Sequence, residues 1–395
     1  MVGLLVAAGP LVWLRSVNDG GSDFWEYYTA GRHVLEHAAR QPDTILAYYW
    51  PSVDVAWAAL AWMPLGIAAA VWYVVGCWSW IGLLGSVGRY LLADLEEGPR
   101  RHALLAAGLL VMPVAILHFC LGAFHVLMLW WMVAGLGRIS QGRARSGAVL
   151  LGLAIWVKLL PLLGAVYLLG KRRWQAALAA ILVALAMDAG LSVAAFGPRA
   201  AWHEHERWWR QQASDTTRRV LASPTALPEH RFKNQSPAAV LRRTLTPLVA
   251  DPRKKPDRVT LIPLSTSQAA AVYYAVVGLL GVGIAAVARR PAQQTSSGPW
   301  GTEIALVALA TMWFSPVVWS YHNTAVLPAM AVMLGRGPRH RGLVGALVAL
   351  WLLAMASFGS SLARGLGAML WMSLALGGAL VWTRNEGNGE IGKEG

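Results

Sequence analysis

An aspartate near the start of the chain has the chemistry of a general base. Asp23 directly follows a polar, glycine-containing segment at 18–22. The residues after it have helical spacing and an apolar side: Phe24, Tyr27, Tyr28, Gly31 and Leu35. This spacing predicts an amphipathic helix that lies along a membrane surface and begins at Asp23. The carboxylate would either take a proton from an incoming hydroxyl group or only cap the helix by accepting backbone N–H groups.

A lysine within an apolar stretch is a second candidate. Lys158 lies in the stretch 147–169, three residues before Pro161. An ammonium group at that depth in a membrane is costly without a partner, so such residues are functional candidates by default. A phosphate or a carboxylate would be a suitable partner. Alternatively, the long side chain extends to the outer membrane interface.

A histidine and an aromatic segment are further candidates. His322 ends a short proline-containing segment between two apolar runs, where its imidazole would share a proton, donate to a phosphate or make an ordinary interfacial contact. Residues 48–65 combine aromatic residues and prolines with an apolar run that is too short to cross a membrane. Their rings would line a groove for sugar or lipid, or anchor the segment in an aromatic belt.

The composition is that of a membrane protein. Of the 395 residues, 56% are hydrophobic and 14% are charged, against about 25% charged in a typical soluble domain, and the mean hydropathy is +0.46. These values exclude a soluble enzyme and a disordered chain. Cys77 and Cys120 both lie in apolar stretches, which excludes a disulfide scaffold. The net charge of +14 fits cytoplasmic loops, an anionic lipid surface or a phosphate-bearing substrate.

Apolar segments recur along the chain, and a span needs about 20 helical residues for about 30 Å of hydrocarbon, or fewer where neighbouring helices shelter it. The candidate spans are 1–14, 66–88, 103–117, 121–137, 147–169, 174–196, 268–288, 301–317, 321–335, 342–358 and 366–382. The first of them fits an anchor better than a removed signal peptide.

The positions of Lys and Arg in short loops predict the orientation, because these residues stay on the cytoplasmic side. Their distribution is consistent only if the stretch 147–169 turns back at 158–161, where proline interrupts the helix. We therefore predict about twelve membrane segments with both termini inside. The loops 15–65, which would hold interfacial helices, and 197–267 would then lie outside.

The second outer loop is strongly basic. Residues 197–267 contain thirteen Lys and Arg and six Asp and Glu, a net charge of +7 on the side where the topology does not require it. This charge indicates a bound anion, or a solvated loop that lies near lipid headgroups.

Several functional classes lose support from motifs that the sequence lacks. It has no Walker A motif, no glycine-rich dinucleotide fingerprint between a predicted strand and a helix, no HExxH and no paired CxxC. We expect no cofactor and no metal ion, because no compact set of carboxylates suits Mg²⁺ or Mn²⁺. A transporter or flippase for an anionic lipid remains an alternative, and so does a non-catalytic scaffold in cell-envelope assembly.

Five short motifs occur in an order that resembles glycosyltransferase family 87. They are Asp23-Phe24 with Tyr27-Tyr28-x-Ala30-Gly31, then Tyr-x-Trp-Pro with Met-Pro-Leu, then Gly152-Leu153-Ala154-x-x-x-Lys158-x-x-Pro161, then Asn234-Gln235-Ser236 with Arg242, then Ser315-Pro316-x-x-Trp319-x-x-His322. The resemblance covers residues 15–335. The chain departs from the family pattern at Ser52, at Gly122-Ala123 and at Tyr321.

The resemblance implies a GT-C membrane fold, here a single integral domain over 1–395 with a cytoplasmic tail at 384–395. It also implies an inverting transfer of a sugar, with mannose expected, from a polyprenyl-phosphate donor to a lipid or glycan hydroxyl at the outer face of the plasma membrane. Asp23 would be the base. The expected phosphate ligands are Lys158, Lys233, Arg242, Arg243 and His322. The expected sugar or acceptor contacts are Tyr27, Tyr28, Trp50, Asn234, Gln235 and Trp319.

Overall fold

The computed structural model describes residues 9, 12, 22–36, 49–210, 220–221, 231–289, 297–336 and 340–391. The described residues form helices and turns, with no strand among them. The expected first span at 1–14, apart from residues 9 and 12, lies outside the described residues, and so does Asp19. The expected all-α class is therefore confirmed for the described part of the chain.

The α-helices of the described part follow one another with short connections in most places. They are α1 (Asp23–Leu35), α2 (Pro51–Ala61), α3 (Leu65–Ser86), α4 (Glu97–Leu121), α5 (His125–Ser140), α6 (Ala144–Val157), α7 (Leu162–Gly170), α8 (Trp174–Phe196), α9 (Pro198–Trp208), α10 (Pro237–Thr244), α11 (Thr266–Arg289), α12 (Ser297–Trp313), α13 (Val326–Arg336), α14 (Arg341–Ala356), α15 (Ser361–Gly365) and α16 (Ala368–Ile391). A π-helical turn, Val87–Leu91, continues α3, and a 3-10 turn, Ser320–Ala325, precedes α13.

Five helices of the described part are long and apolar enough to cross a membrane. They are Leu65–Leu91, Glu97–Leu121, Trp174–Phe196, Thr266–Arg289 and Arg341–Gly359. The first of them carries an outward-facing apolar stripe whose members are 37% to 68% exposed: Ile67, Val71, Val74, Trp78 and Ile81. Soluble domains rarely expose such a continuous apolar surface, whereas lipid tails solvate it. The chain is thus a multi-pass membrane protein.

The predicted helix break at 158–161 is confirmed. Helix α6 ends at Val157, Lys158 has an extended backbone with φ −154° and ψ 138°, and α7 begins at Leu162. The two helices have 14 and 9 residues, which corresponds to about 21 Å and about 13 Å. Neither crosses a hydrocarbon layer of about 30 Å by itself.

Several helices differ in length from the spans predicted by hydropathy. The span expected at 103–117 is part of the 25-residue α4, and the span expected at 321–335 begins as a 3-10 turn, so that α13 has only 11 residues. Helix α16 continues to Ile391 and includes part of the expected tail at 384–395. Hydropathy marks the apolar residues, but backbone hydrogen bonding continues a helix into polar residues. The total of twelve segments stays a prediction.

The chain divides into two compact units. The first contains residues 1–86 and 112–215, and the second contains residues 87–111 and 216–395. Asp23 and Lys158 belong to the first unit, whereas the Asn234 motif and His322 belong to the second.

Two glycines allow α1 to pack closely within the first unit. A Cβ atom at Gly31 would lie 2.5 Å from the backbone of Trp57, so glycine permits the close crossing of α1 and α2. Gly122, with φ +66°, lies after α4, and a Cβ atom there would be 2.5 Å from the Cβ atom of Phe24. These contacts place the first turn of α1, which carries Asp23, against the rest of the unit.

Candidate active site

Asp23 occupies the first turn of α1, and its N-cap is the preceding residue. The Ser22 Oγ accepts a hydrogen bond from the Trp25 backbone N–H at 3.2 Å. Asp23 is only 7% exposed. The carboxylate is therefore not the N-cap of α1, which removes the main non-catalytic interpretation of this residue.

Lys158 lies close enough to Asp23 for the two charges to attract each other. The ammonium group interacts electrostatically with the Asp23 carboxylate, and its Nζ atom lies 5.6 Å from the centroid of the Tyr49 ring. The extended backbone at Lys158, after the end of α6, places the side chain here. A partly buried cation beside an acid matches the partner that the sequence predicted for this lysine.

Tyr27 belongs to a packed aromatic cluster rather than to an open surface. Its ring is completely buried and stacks on Trp57 at 4.5 Å and on Phe124 at 4.9 Å between ring centroids. Its hydroxyl lies 3.2 Å from that of Tyr49. Because the ring has no accessible surface, we do not retain Tyr27 as a sugar contact. It supports the helix that carries Asp23.

Tyr28 and Trp50, the other two aromatic candidates of this unit, differ in whether their polar group already has a partner. The Tyr28 hydroxyl donates to the Met63 carbonyl at 2.8 Å and so connects α1 to the turn between α2 and α3. Trp50 stacks on Trp208, with 5.3 Å between ring centroids and 15° between planes. The indole N–H of Trp50 has no acceptor among the described residues. Trp50 therefore fits a ligand contact better than Tyr28 does.

The sequence predicts only part of a buried polar group that contains Asp188. Asp188 lies in α8, where an acid within an apolar sequence predicts a packing or pairing residue. It lies 2.6 Å from the His205 Nε2 atom and accepts a hydrogen bond from the Ser52 hydroxyl at 2.5 Å. The pairing interpretation is confirmed, and an acid inside an apolar helix was the signal. The partners were not readable, because Ser52 is far away in sequence.

In the second unit, the Asn234 motif binds the segment before His322. The Asn234 Oδ1 atom accepts from the backbone N–H of Val318 at 2.8 Å and from that of Ser236 at 3.0 Å. Ser236 caps α10 and donates to the Pro316 carbonyl at 2.8 Å. Gln235 donates to the carbonyls of Phe232 and Arg364. The amide groups of Asn234 and Gln235 thus connect loops, and we do not retain either residue as a sugar contact.

This arrangement brings Lys233, Trp319 and His322 into one region. The Lys233 Nζ atom lies 4.7 Å from the centroid of the Trp319 ring, as in a cation–π contact. The His322 Nδ1 atom accepts from the Trp319 backbone N–H at 2.8 Å. A neutral imidazole with Nδ1 as acceptor carries its proton on Nε2, so the ring is set to donate from that nitrogen.

Arg243 has a structural position in the same unit. It is fully buried, and its guanidinium donates to the carbonyls of Gly365, Asn234 and Arg364 at 2.5–2.9 Å. Burial lowers its pKa, and the Asp251 carboxylate opposes that shift. Burial also lowers the pKa of Arg242. Because its donors are used on backbone carbonyls, we remove Arg243 from the expected phosphate ligands.

Lys233 and Arg243 should respond differently to substitution by alanine. Arg243→Ala removes at least three charge-assisted hydrogen bonds, each typically worth about 1.5–3 kcal/mol, so the yield of folded protein and its thermal midpoint in detergent should fall clearly. Lys233→Ala should leave the thermal midpoint unchanged, because this side chain is exposed. It should instead raise the Michaelis constant for the lipid donor. Equal thermal midpoints for the two variants would contradict the assignment of Arg243.

Comparison with known proteins identifies the family. A family model for glycosyltransferase family 87 matches residues 48–316. The chain belongs to glycosyltransferase family 87, as the residue pattern predicted, and is a glycosyltransferase.

The chain is similar to a mannosyltransferase of Mycobacterium tuberculosis. That protein is the polyprenol-phosphate-mannose-dependent alpha-(1-2)-phosphatidylinositol pentamannoside mannosyltransferase. The two are 30% identical over 212 residues, which cover 51% of this chain and 48% of the relative. The chain thus matches about half the length of that relative. No solved structure matches this chain.

Proposed function

We propose that this glycosyltransferase is an inverting enzyme that transfers mannose from a polyprenyl-phosphate donor to a hydroxyl group of a lipid or glycan acceptor. The bond between C1 of the sugar and the phosphate oxygen breaks, and a bond from C1 to the acceptor oxygen forms. The acceptor proton goes to the Asp23 carboxylate, and polyprenyl phosphate leaves as an anion. The polyprenol-phosphate-mannose dependence of the mycobacterial relative supports the donor class.

The observation that carries the mechanism is the placement of Asp23. It is a nearly buried carboxylate beside a lysine, in a helix whose cap is supplied by Ser22. An acid that neither caps the helix nor lies on an open surface fits a general base. A polyprenyl phosphate leaves as a stabilised anion, so the reaction needs one base and cationic contacts rather than the two carboxylates of a glycosidase.

In the first unit, Lys158 is the proposed contact for the donor phosphate, because its ammonium group interacts electrostatically with the proposed base, Asp23. Lys233, Arg242 and His322 remain proposals from the second unit. Lys233 is exposed and His322 has Nε2 as its donor. For the sugar and the acceptor we retain Trp50 and Trp319. Each of these residues is to be tested by its own substitution.

The test is a transfer reaction in lipid nanodiscs. Purified protein is incubated with polyprenyl-phosphate mannose and a membrane extract that supplies acceptors. Release of polyprenyl phosphate together with a new mannosylated lipid is the expected result. Redistribution of the donor between leaflets without release would instead show a flippase, and unaltered envelope glycans in a deletion strain would show a scaffold.

We expect the transfer reaction to be independent of divalent cations. Among the residues that the structure describes, no group of three His, Cys, Asp or Glu side chains is arranged to hold a metal ion. Activity in excess EDTA should therefore equal activity without it. Complete loss in EDTA that added Mg²⁺ or Mn²⁺ restores would refute this expectation.

The proposed site faces the outer side of the plasma membrane. With Cys77 and Cys120 replaced, single cysteines at positions 40 and 215 should react with an impermeant maleimide on intact cells. Cysteines at 140, 172 and 338 should react only after permeabilisation. Position 140 is the last residue of α5 and position 172 lies in the turn after α7, whereas 40, 215 and 338 lie outside the described part. Labelling of 172 from outside would eliminate the twelve-segment topology.

A further inference from the structure

A chain of four polar side chains is buried in the first unit. The Trp156 indole donates to the Ser52 hydroxyl at 2.8 Å, and Ser52 donates to the Asp188 Oδ1 atom at 2.5 Å. The other carboxylate oxygen, Oδ2, lies 2.6 Å from the His205 Nε2 atom. Ser52 is completely buried and Asp188 is 4% exposed. Buried polar groups are stable only when each has a partner, and these groups satisfy one another.

Proton counting shows that His205 has no lone pair available. Its Nδ1 atom lies 2.7 Å from the Ala201 carbonyl, and its Nε2 atom lies 2.6 Å from the Asp188 carboxylate. Both partners accept, so a proton is needed on each side of the ring. With Asp188 ionised, the ring is an imidazolium that donates from both nitrogens, to the Ala201 carbonyl and to the Asp188 carboxylate.

This geometry excludes two familiar functions of such residues. Ser52 donates to the acid rather than to the histidine, so the group is not a nucleophilic triad. His205 keeps no nitrogen to accept a proton, so it is not a general base in this arrangement. Its remaining property is to hold α9 against α8.

The four residues connect four helices near the proposed site. Ser52 lies in the first turn of α2, Trp156 in the last turn of α6, Asp188 in α8 and His205 in α9. Trp156 precedes Lys158 by two residues.

His205 also lies near an aromatic stack along α9. It lies one turn before Trp208, which is 7% exposed and stacks on Trp50. Members of the polar chain thus lie two residues from Lys158 and one helical turn from the ring that stacks on Trp50.

We propose that Asp188 and His205 are positioning residues of the transferase. Their pair holds α9, the first helix after α8, so that Trp208 supports Trp50. Through Ser52 and Trp156 the same pair holds the end of α6, and with it Lys158. This proposal rests on the proposed function for its kinetic part but not for its structural part.

The experiment combines hydrogen exchange and kinetics on the full-length protein in nanodiscs. The variants are His205→Gln, Asp188→Asn and the double variant, and the control is His203→Gln. His203 lies on the same helix, and its side chain is 61% exposed. In either single variant, amides of 198–208 should exchange about tenfold faster or more, whereas those of 23–35 should not change. The double variant should exchange no faster than the singles, because the two residues form one contact.

The kinetic part distinguishes positioning from fold support. With polyprenyl-phosphate mannose as donor, His205→Gln should raise the donor Michaelis constant about tenfold, since displacement of a contact residue is costly. His203→Gln should match the wild type. Unchanged hydrogen exchange in 198–208 would contradict the claim that the Asp188–His205 pair holds α9, even if activity fell. Faster hydrogen exchange together with wild-type kinetics would contradict the claim that the two residues position the transferase site.

Two further outcomes are separated by the same design. If the wild type transfers no sugar, the proposed function fails while the exchange result still decides whether the pair holds α9. If His205→Gln does not fold, Ser52→Ala is the milder variant. It removes one donor to Asp188 and should loosen 198–208 by a smaller factor, and no change there would count against the polar chain.

Discussion

Replacement of Asp23 by asparagine is expected to lower turnover at least about a hundredfold, because a general base is typically worth about 10²–10⁴ in rate. The asparagine side chain keeps the volume but cannot take the acceptor proton. Helix α1 should persist, because Ser22 supplies its N-cap. The measurement is the initial rate of mannosylated product at saturating donor, with donor binding measured separately. Donor binding should barely change.

Two neighbouring acids serve as controls for this result. Glu26 lies in the same first turn of α1 and is only partly buried. Glu26→Gln therefore removes one negative charge from this turn, as Asp23→Asn does, but leaves the proposed base in place. Asp19→Asn changes the same polar segment, outside the described residues. Both variants should stay near wild-type activity. A dead Asp19 variant with an active Asp23 variant would mean that the base is misassigned.

Replacement of Lys158 by methionine should reduce kcat/KM for the lipid donor by about 10- to 150-fold. This range corresponds to about 1.5–3 kcal/mol for one charge-assisted phosphate contact. Methionine keeps the length of the side chain but removes its charge. Lys158→Arg should recover part of the loss, since the guanidinium also binds phosphate. The acceptor Michaelis constant should change less than the donor constant.

Lys171 is a matched control for Lys158. Its Nζ atom lies 5.8 Å from the centroid of the Tyr167 ring, a contact like that of Lys158 with Tyr49, and it follows α7. Lys171→Met should leave kcat/KM unchanged. Equal losses for the two lysines would indicate a general effect of charge on folding or insertion. In that case the phosphate assignment of Lys158 would be withdrawn.

Local sequence determined the helices and the positions of two key residues. The spacing after Asp23 predicted α1, and the lysine and proline at 158–161 predicted the break between α6 and α7; both are present. These features depend on residues within a few positions of one another. Apolar periodicity and proline act over that distance, so they can be read without knowledge of the fold.

Only the tertiary structure decided which side chains are available to a substrate. Tyr27 has the residue type of a sugar contact, but packing of Trp57 and Phe124 buries it. Arg243 has the charge of a phosphate ligand, but carbonyls that include Gly365, 122 residues further along the chain, accept its hydrogen bonds. Residue type and helical spacing predict which face a side chain occupies. They do not predict its partner.

The polar chain also shows that sequence does not predict the partner of a side chain, here for residues far apart along the chain. Asp188 was identifiable as an acid in an apolar helix that needed a partner. Ser52, 136 positions earlier, and His205, 17 positions later, become its partners only because α2, α8 and α9 pack together. The need for a partner follows from the cost of burying a charge, which acts at one residue. The choice of partner depends on helix packing, which involves the entire unit.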